Sequence, residues 1–160
     1  MGHDVVSIET QELVQYGQDE TEDFIFKPDV VVKPKDVNQV QQLMQFCHLH
    51  GVPVTPRGAG TGLSGASLPI HQGALLSMEH FNKILEIDEA NMQAVVESGV
   101  INHNLREAVE SKGLFYPPDP ASKGSCFIGG NVAHNSGGPK AVKYGVTKDY
   151  ILNLEVVLPT

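Results

Sequence analysis

Two glycine-rich segments contain the residue types that could bind a phosphate group through the backbone. The first is Pro56-Arg-Gly-Ala-Gly-Thr-Gly-Leu-Ser-Gly-Ala66, and the second is Phe127-Ile-Gly-Gly-Asn-Val-Ala-His-Asn-Ser-Gly-Gly138. Glycine loses more conformational entropy on folding than any other residue, so such clusters within a domain need a physical reason. The usual reason is a positive φ angle or a close approach of the backbone to a ligand.

The first segment contains Gly60-Thr-Gly-Leu-Ser-Gly65, which matches the G-x-G-x-x-G pattern of dinucleotide-binding Rossmann folds. In that fold the third glycine lies in a helix whose N-terminus faces the pyrophosphate. Here Pro69 and Gly73 follow too closely to leave room for a crossover helix of about ten residues. The surrounding sequence therefore argues against a Rossmann site.

The residues of this segment also suit a phosphate site that has no helix. Successive small residues leave their N–H groups uncovered, and such groups can converge on an anion. Thr61 and Ser64 add hydroxyl donors, and Arg57 adds a cation at the end of the preceding predicted strand. The alternative is a flexible surface turn that is rich in glycine and binds nothing.

The elements around the first segment are predicted to form a parallel unit. The β-branched run Asp29–Pro34 predicts a buried strand, and Asp36 with Gln39 predicts a capping box for a helix that ends at Gly51. Residues 52–54 predict a second strand. The apolar residues that repeat at helical spacing are Val37, Val40, Leu43, Met44 and Cys47. A strand, a helix and a strand in this order predict a βαβ crossover with two parallel strands.

The chain after residue 72 is predicted to be more antiparallel. A turn at 88–91 is expected to join two strands in a hairpin. Asn104 with Glu107 predicts a second capping box, for a helix that runs to Gly113. Strands are predicted at 74–78, 83–87, 94–100 and 152–158. The expected fold class is α+β, with two small subdomains: a parallel βαβ unit followed by a more antiparallel sheet with helices.

Composition and charge exclude several classes of protein. The 160 residues are 41% hydrophobic, which argues against a disordered chain, and the net charge of −8 argues against a nucleic-acid partner. No apolar run approaches the ~20 residues of a transmembrane helix, and no signal segment opens the chain. Two distant cysteines suit a reducing compartment, so a cytoplasmic protein is expected. Residues 1–27, strongly acidic up to position 23, are interpreted as a lead-in segment before a domain at 28–160.

No other constellation supports a catalytic or metal site. Cys47, His48 and His50 lie near a predicted helix end, where positions 48 and 50 point about 200° apart and cannot chelate one ion together. Cys126 has no identifiable neighbouring base and is expected to be a small buried residue. No metal is therefore predicted, and the catalytic residues stay unknown.

Taken together, these segments resemble the FAD-binding domain of the vanillyl-alcohol oxidase and p-cresol methylhydroxylase superfamily. The similarity is greatest to the glycolate oxidase and D-lactate dehydrogenase family within it. It runs in order from about residue 28 to the end of the chain. The segments that carry it are Pro28-Asp-Val-Val-Val-Lys-Pro34, residues 56–66, Pro117-Pro-Asp-Pro120 with Ser122, Cys126-Phe-Ile-Gly-Gly-Asn131, Gly137-Gly138, Lys143-Tyr-Gly145 and Leu154-Glu-Val-Val-Leu-Pro159.

The resemblance implies FAD held in an extended form between two α+β subdomains. It implies a pyrophosphate-binding loop made of Arg57, Gly58, Ala59, Gly60, Thr61, Gly62, Leu63, Ser64, Gly65 and Ala66. The residues implied to lie along the rest of the cofactor are Pro118, Asp119, Ser122, Ile128, Gly129, Gly130, Asn131, Ala133, Gly137 and Gly138. Some relatives carry a histidine that bonds covalently to the flavin where this chain has Thr61, so non-covalent FAD is expected.

The function implied by the resemblance is the oxidation of a small 2-hydroxy acid such as glycolate or D-lactate, with the flavin as hydride acceptor. Relatives continue with the rest of the flavin domain and a substrate-binding cap domain. The chain is therefore expected to lack a C-terminal domain or partner subunits, and to be inactive alone. Two alternatives stay open: a nucleotide- or phosphate-binding module without redox activity, and a flavin domain like that of UDP-N-acetylenolpyruvylglucosamine reductase.

Overall fold

The computed structural model describes residues 4–21 and 23–159, and these divide into two compact units. One unit holds the chain up to His80 together with the residues from Glu155 onward, and the other holds Phe81–Leu154. Each unit combines strands with helices, and the first contains parallel strands whereas the second contains an antiparallel pair. The predicted α+β fold class is confirmed.

The first unit is built on a four-stranded sheet with the strand order β1-β2-β4-β3. Its strands are β1 (Val6–Ser7), β2 (Val30–Val32), β3 (Val54–Arg57) and β4 (Ala74–Ser77). β2 and β3 both run parallel to β4, and β1 pairs antiparallel with β2. The predicted parallel relation of β2 and β3 is confirmed, but β4 lies between them. The prediction that placed β4 with the later antiparallel strands was wrong.

Helix α2 (Val37–His50) connects β2 to β3, as predicted. The Asp36 carboxylate accepts a hydrogen bond from the Gln39 N–H at 2.9 Å, and Gly51 ends the helix at a φ of 64°. In a capping box the Gln39 side chain would accept a hydrogen bond from the Asp36 N–H. Here its side-chain oxygen accepts from the N–H of Lys35, one residue earlier. Val40, Leu43 and Cys47 form its buried face, in line with the predicted apolar spacing.

The acidic N-terminal segment also contributes to the first unit. β1 pairs with β2 through Val6 and Val32, and helix α1 (Thr10–Tyr16) follows β1. The buried residues of this unit include Val5, Val31, Val32, Leu68, Leu75 and Leu76. Residues outside the predicted FAD-binding domain therefore help to complete its sheet.

The second unit begins with the predicted hairpin, formed by β5 (Ile84–Asp88) and β6 (Gln93–Val96). It continues with α3 (Asn102–Glu110), α4 (Ile128–His134), the single turn α5 (Ala141–Tyr144) and a 3₁₀ turn at Thr147–Tyr150. Its buried core consists of Val100, Leu105, Val109 and Ile128, so residues that follow β6 pack together with α3 and α4.

Two local predictions for the later part of the chain were wrong. Helix α3 begins after Ile101 without a side-chain cap, so Asn104 is an exposed helical residue and not a cap. The glycine-rich segment that starts at Phe127, where no helix was predicted, contains the short helix α4. Residues 152–158 form no strand, although their apolar and β-branched types predicted one. A strand needs a pairing partner as well as suitable residue types, and the sequence pattern reports only the second requirement.

Candidate functional site

The first glycine-rich segment is the connection between two neighbouring parallel strands, β3 and β4. Residues 58–73 contain bends and turns but no helix. Two of its glycines adopt the left-handed conformation, with φ angles of 73° at Gly60 and 67° at Gly65. The interpretation that this G-x-G-x-x-G motif is not a Rossmann motif is confirmed by the local structure. We call residues 57–66 the glycine loop.

The middle of the glycine loop presents uncommitted backbone donors. Among the residues that the structure describes, none of the N–H groups of 59–64 donates a hydrogen bond. The hydroxyl groups of Thr61 and Ser64 make no hydrogen bond within that part of the chain either. The loop is only partly covered: Gly60, Thr61 and Gly62 are half-buried, and Leu63 is 78% exposed. A run of free donors at a partly covered surface is suited to binding an anion.

The Arg57 side chain is buried and packs against the glycine loop at Gly60. Its guanidinium is buried, donates from Nη1 to the carbonyl oxygen of Tyr16 at 3.3 Å, and lies over the Tyr16 ring at 5.5 Å. A side chain at Gly60 would collide with it, because an added Cβ would stand 2.1 Å from Arg57 Nη2. Burial lowers the pKa of Arg57, and the nearby charge of Asp19 opposes that shift. The Arg57 guanidinium therefore packs directly against the loop at Gly60.

Residues before the predicted domain hold the glycine loop at several points. The Glu20 N–H donates to the Gly60 carbonyl at 3.2 Å, and the Thr21 hydroxyl accepts from the Gly65 N–H at 2.8 Å. The Ser67 hydroxyl, just after the loop, donates to the Asp19 carboxylate at 3.1 Å. Sequence reasoning missed these residues because they precede their partners by about forty positions and read as a solvated acidic segment.

The second glycine-rich segment combines an unpaired polar group with an open glycine. Asn131, on α4, is 2% exposed, and its buried side-chain nitrogen Nδ2 has no hydrogen-bond partner in the described residues. A Cβ added at Gly130 would meet no atom within 4 Å, whereas one at Gly129 would come within 2.8 Å of Ser98 Cβ. Gly129 is therefore required by packing inside the unit, while Gly130 leaves space beside the helix.

The remaining predicted residues lie elsewhere in the second unit. Gly138 has a φ of 115°, and an added Cβ there would stand 2.0 Å from the Asp119 carbonyl oxygen, so its glycine is explained by internal packing. Pro118 is buried, Ser122 is half-buried, and Ala133 is exposed on α4. The Asp119 N–H donates to the Gly137 carbonyl at 3.0 Å, which brings these two predicted segments together.

Asp119 is the centre of a charged cluster. Its carboxylate lies 2.6 Å from Arg106 Nη1, 3.1 Å from Lys123 Nζ and 3.5 Å from Lys140 Nζ. Burial acts to raise the pKa of Asp119, but the hydrogen bond from Lys123 and the charges of Arg106 and Lys140 outweigh it and hold the pKa below its usual range. The cluster has an excess of positive charge, which suits a region that faces an anionic ligand.

These features fit a flavin dinucleotide when each unit is considered separately. The free amides of the glycine loop match a diphosphate, which can accept several N–H hydrogen bonds. Gly130 leaves space for a close approach, and the unpaired Asn131 amide can donate to a polar atom of a ring.

Comparisons with known proteins agree with this chemistry. The sequence profile of the FAD binding domain family matches residues 28–160. Over 143 residues the chain is 48% identical to glycolate oxidase subunit GlcD of Bacillus subtilis (strain 168), which covers 89% of this chain and 30% of that protein. It is 43% identical over 134 residues to D-lactate dehydrogenase of Anaerostipes hadrus, covering 84% of this chain and 28% of that protein.

A solved structure gives the same fold. The crystal structure of p-cresol methylhydroxylase with substrate bound matches with a TM-score of 0.73 and 25% identity, over 85% of this chain and 27% of that one. The fold is thus that of the p-cresol methylhydroxylase type of flavoprotein. The chain belongs to the FAD-binding domain family, and FAD is its cofactor. It spans about 30% of the length of the curated relatives described above.

Proposed function

We propose that this chain is the FAD-binding part of an oxidoreductase that oxidises a small 2-hydroxy acid such as glycolate or D-lactate. The names of the curated relatives, one a glycolate oxidase component and the other a D-lactate dehydrogenase, support this substrate class. Because the chain spans about 30% of those relatives, we assign the substrate site to a C-terminal domain or to partner subunits. The buried free thiols of Cys47 and Cys126 are compatible with a cytoplasmic enzyme.

The glycine loop, residues 57–66, is proposed to bind the FAD pyrophosphate. The observation that carries this proposal is the run of N–H groups at 59–64 that donate no hydrogen bond within the described residues. Backbone donors that folding shields from water are almost always paired, and here a run of unpaired donors lies at a partly covered surface, where one anion can accept from several of them. In this arrangement the buried Arg57 side chain supports the loop. The backbone amides of the loop and the hydroxyls of Thr61 and Ser64 contact the phosphates.

Residues of the second unit are proposed to contact the remainder of the cofactor. Asn131 supports this because its Nδ2 is buried and lacks a partner in the described chain. Gly130 supports it because no internal contact explains the missing side chain. The others proposed to line the cofactor are Pro118, Asp119, Ser122, Ile128, Gly129, Ala133, Gly137 and Gly138.

When bound, FAD supplies the hydride acceptor for the oxidation of the hydroxy acid. The residues of this chain bind and orient the cofactor, and we assign no catalytic acid or base among them. By the family resemblance, Thr61 corresponds to the histidine that some relatives link to the flavin, and a threonine hydroxyl does not form that bond. We therefore propose that FAD is held non-covalently.

The test is an FAD titration of Gly62→Val. A β-branched side chain next to the phosphate-binding amides is expected to weaken FAD binding at least about 100-fold, because it blocks several charge-assisted hydrogen bonds at once. Quenching of flavin fluorescence measures the affinity. Ala90→Val, in the exposed hairpin turn, is the matched control and should bind FAD as the unmodified protein does.

The same preparation tests the mode of attachment. After acid precipitation the yellow colour is expected in the supernatant, and colour in the pellet would contradict the non-covalent proposal. Unchanged FAD affinity in Gly62→Val would contradict the loop assignment. A protein that binds ADP but no flavin would instead support a nucleotide-binding module without redox activity.

A further inference from the structure

The glycine loop is fastened to a segment that lies outside the part of the chain matched by the family profile. That profile begins at residue 28, whereas the loop's partners lie at 16–21. Four contacts join the two segments: Arg57 to the Tyr16 carbonyl, Ser67 to the Asp19 carboxylate, Glu20 N–H to the Gly60 carbonyl, and Gly65 N–H to the Thr21 hydroxyl.

These contacts hold the two ends of the loop and leave its middle free. Gly60 and Gly65, the two left-handed glycines, each have one backbone group bonded to this segment. The N–H groups at 59–64 donate to no atom within the described residues. The conformation of the free stretch is therefore held from both sides without using its N–H donors.

The segment that supplies these contacts is itself held in place. The Tyr16 hydroxyl donates to the Glu79 carboxylate, which also accepts from the Ser77 hydroxyl at 2.9 Å. Lys33 Nζ lies 3.2 Å from the same carboxylate and 4.7 Å from the centre of the Tyr16 ring. Asp19 accepts from the Thr21 N–H at 2.9 Å, which fixes the turn that presents the Thr21 hydroxyl.

We propose that residues 16–21 form a clamp that sets the phosphate-binding conformation of the glycine loop, with Thr21 and Arg57 as positioning residues. This inference rests on the proposed role of the loop in binding the FAD pyrophosphate. Preorganised donors bind an anion more tightly because the loop need not be ordered when the ligand arrives. The clamp therefore contributes to FAD affinity without touching the cofactor.

Thr21→Val tests the clamp in the protein expressed from its complete reading frame. Valine keeps the shape of threonine but cannot accept the hydrogen bond from Gly65, so FAD affinity is expected to fall roughly fivefold to tenfold, the value of one hydrogen bond. Thr21→Ser keeps the hydroxyl and should stay within about twofold of the unmodified protein. Thr10→Val, the same substitution at an exposed position of α1, is the matched control and should bind FAD normally.

Competition with ADP separates an effect on the diphosphate site from an effect on contacts with the flavin ring. ADP carries a diphosphate but no flavin ring, so its affinity should fall by the same factor as that of FAD in Thr21→Val. Equal FAD affinity in Thr21→Val and the unmodified protein, a loss in Thr21→Ser as large as in Thr21→Val, or an unchanged ADP affinity would each overturn the clamp.

A second variant keeps the test decisive if Thr21→Val does not fold. Ser67→Ala removes the hydroxyl that bonds to Asp19 and should also weaken both FAD and ADP; normal binding by Ser67→Ala would overturn the proposal. Failure of the clamp differs from failure of the loop assignment. If Gly62→Val loses FAD while both clamp variants bind normally, the loop binds the cofactor and the clamp is wrong.

Discussion

Asp119 is a nearly buried carboxylate that is surrounded by three cationic side chains. Its side chain is 9% exposed, and it contacts Arg106, Lys123 and Lys140, whose side chains are 13, 47 and 34% exposed. A nearly buried carboxylate is stable only when it is paired, and removing its charge leaves cations close together without compensation. The contacts with these cations lower the pKa of Asp119, although burial acts in the opposite direction.

Asp119→Asn is therefore expected to lower the free energy of unfolding by about 2 kcal/mol at pH 7. A carboxylate whose pKa is lowered by folding stabilises the folded state above its ordinary pKa and loses this effect as the pH falls through the folded value. The difference between the two proteins should shrink as the pH falls below about 4. Urea unfolding at pH 7 and at pH 3 measures both quantities.

Glu89→Gln is the control for this substitution, because the Glu89–Lys112 pair is exposed on both sides. An exposed ion pair contributes at most about 1 kcal/mol. A difference between Asp119→Asn and the unmodified protein that stays constant with pH would show that the loss comes from packing and not from charge.

The reasons for individual glycines were only partly predictable. The family resemblance implied that Gly129, Gly130, Gly137 and Gly138 all lie along the cofactor. The structure explains three of them by contacts inside the unit, and the atoms concerned belong to Ser98, Val146 with Ala141, and Asp119. Several of these partners are distant in sequence. No local pattern therefore reveals at which glycine an added side chain would collide with the protein and at which it would find open space.

At the scale of elements, the two predicted capping boxes provide a direct comparison. Asp36 accepts the Gln39 N–H at 2.9 Å and caps α2, whereas Asn104 lies within α3 and caps nothing. Asp36→Ala should lower the free energy of unfolding by about 1 kcal/mol, the usual value of an N-cap, and Asn104→Ala should change it by less than about 0.5 kcal/mol. Thermal unfolding of both variants measures the difference, and equal losses would contradict the observed start of α3.

Local elements were predictable from the sequence, and long-range pairing was not. The strand at Val30–Val32, the end of α2 at Gly51 and the hairpin after Ile84 follow from residue types within a few positions. The insertion of β4 between β2 and β3 depends on pairing with β3 across 20 positions and with β2 across 44, which hydrophobic pattern alone does not encode. The same limit applies to the glycine loop: its donors were predicted, and its support by residues 16–21 was not.

At the scale of the whole molecule, the C-terminal residues present an unusual amount of apolar surface. Leu152, Leu154, Val156 and Leu158 are 77, 55, 63 and 64% exposed, and they alternate with other residues as the side chains of a strand do. Each of these side chains is more than half exposed to water, which is unfavourable for aliphatic groups. A segment of β-branched and aliphatic residues without a pairing partner is also prone to pair with another chain.

The 160-residue chain is therefore expected to self-associate through residues 152–158, and a double variant, Leu154→Glu with Val156→Glu, should shift it toward the monomer. The two added charges repel between chains and remove two of the four exposed apolar side chains. Sedimentation velocity over a tenfold range of concentration measures the change. Asn153→Glu adds a charge to the same segment but keeps its apolar side chains, so it should associate nearly as the unmodified chain does. If Asn153→Glu dissociates the chain as fully as the double variant, net charge controls association and the apolar residues do not.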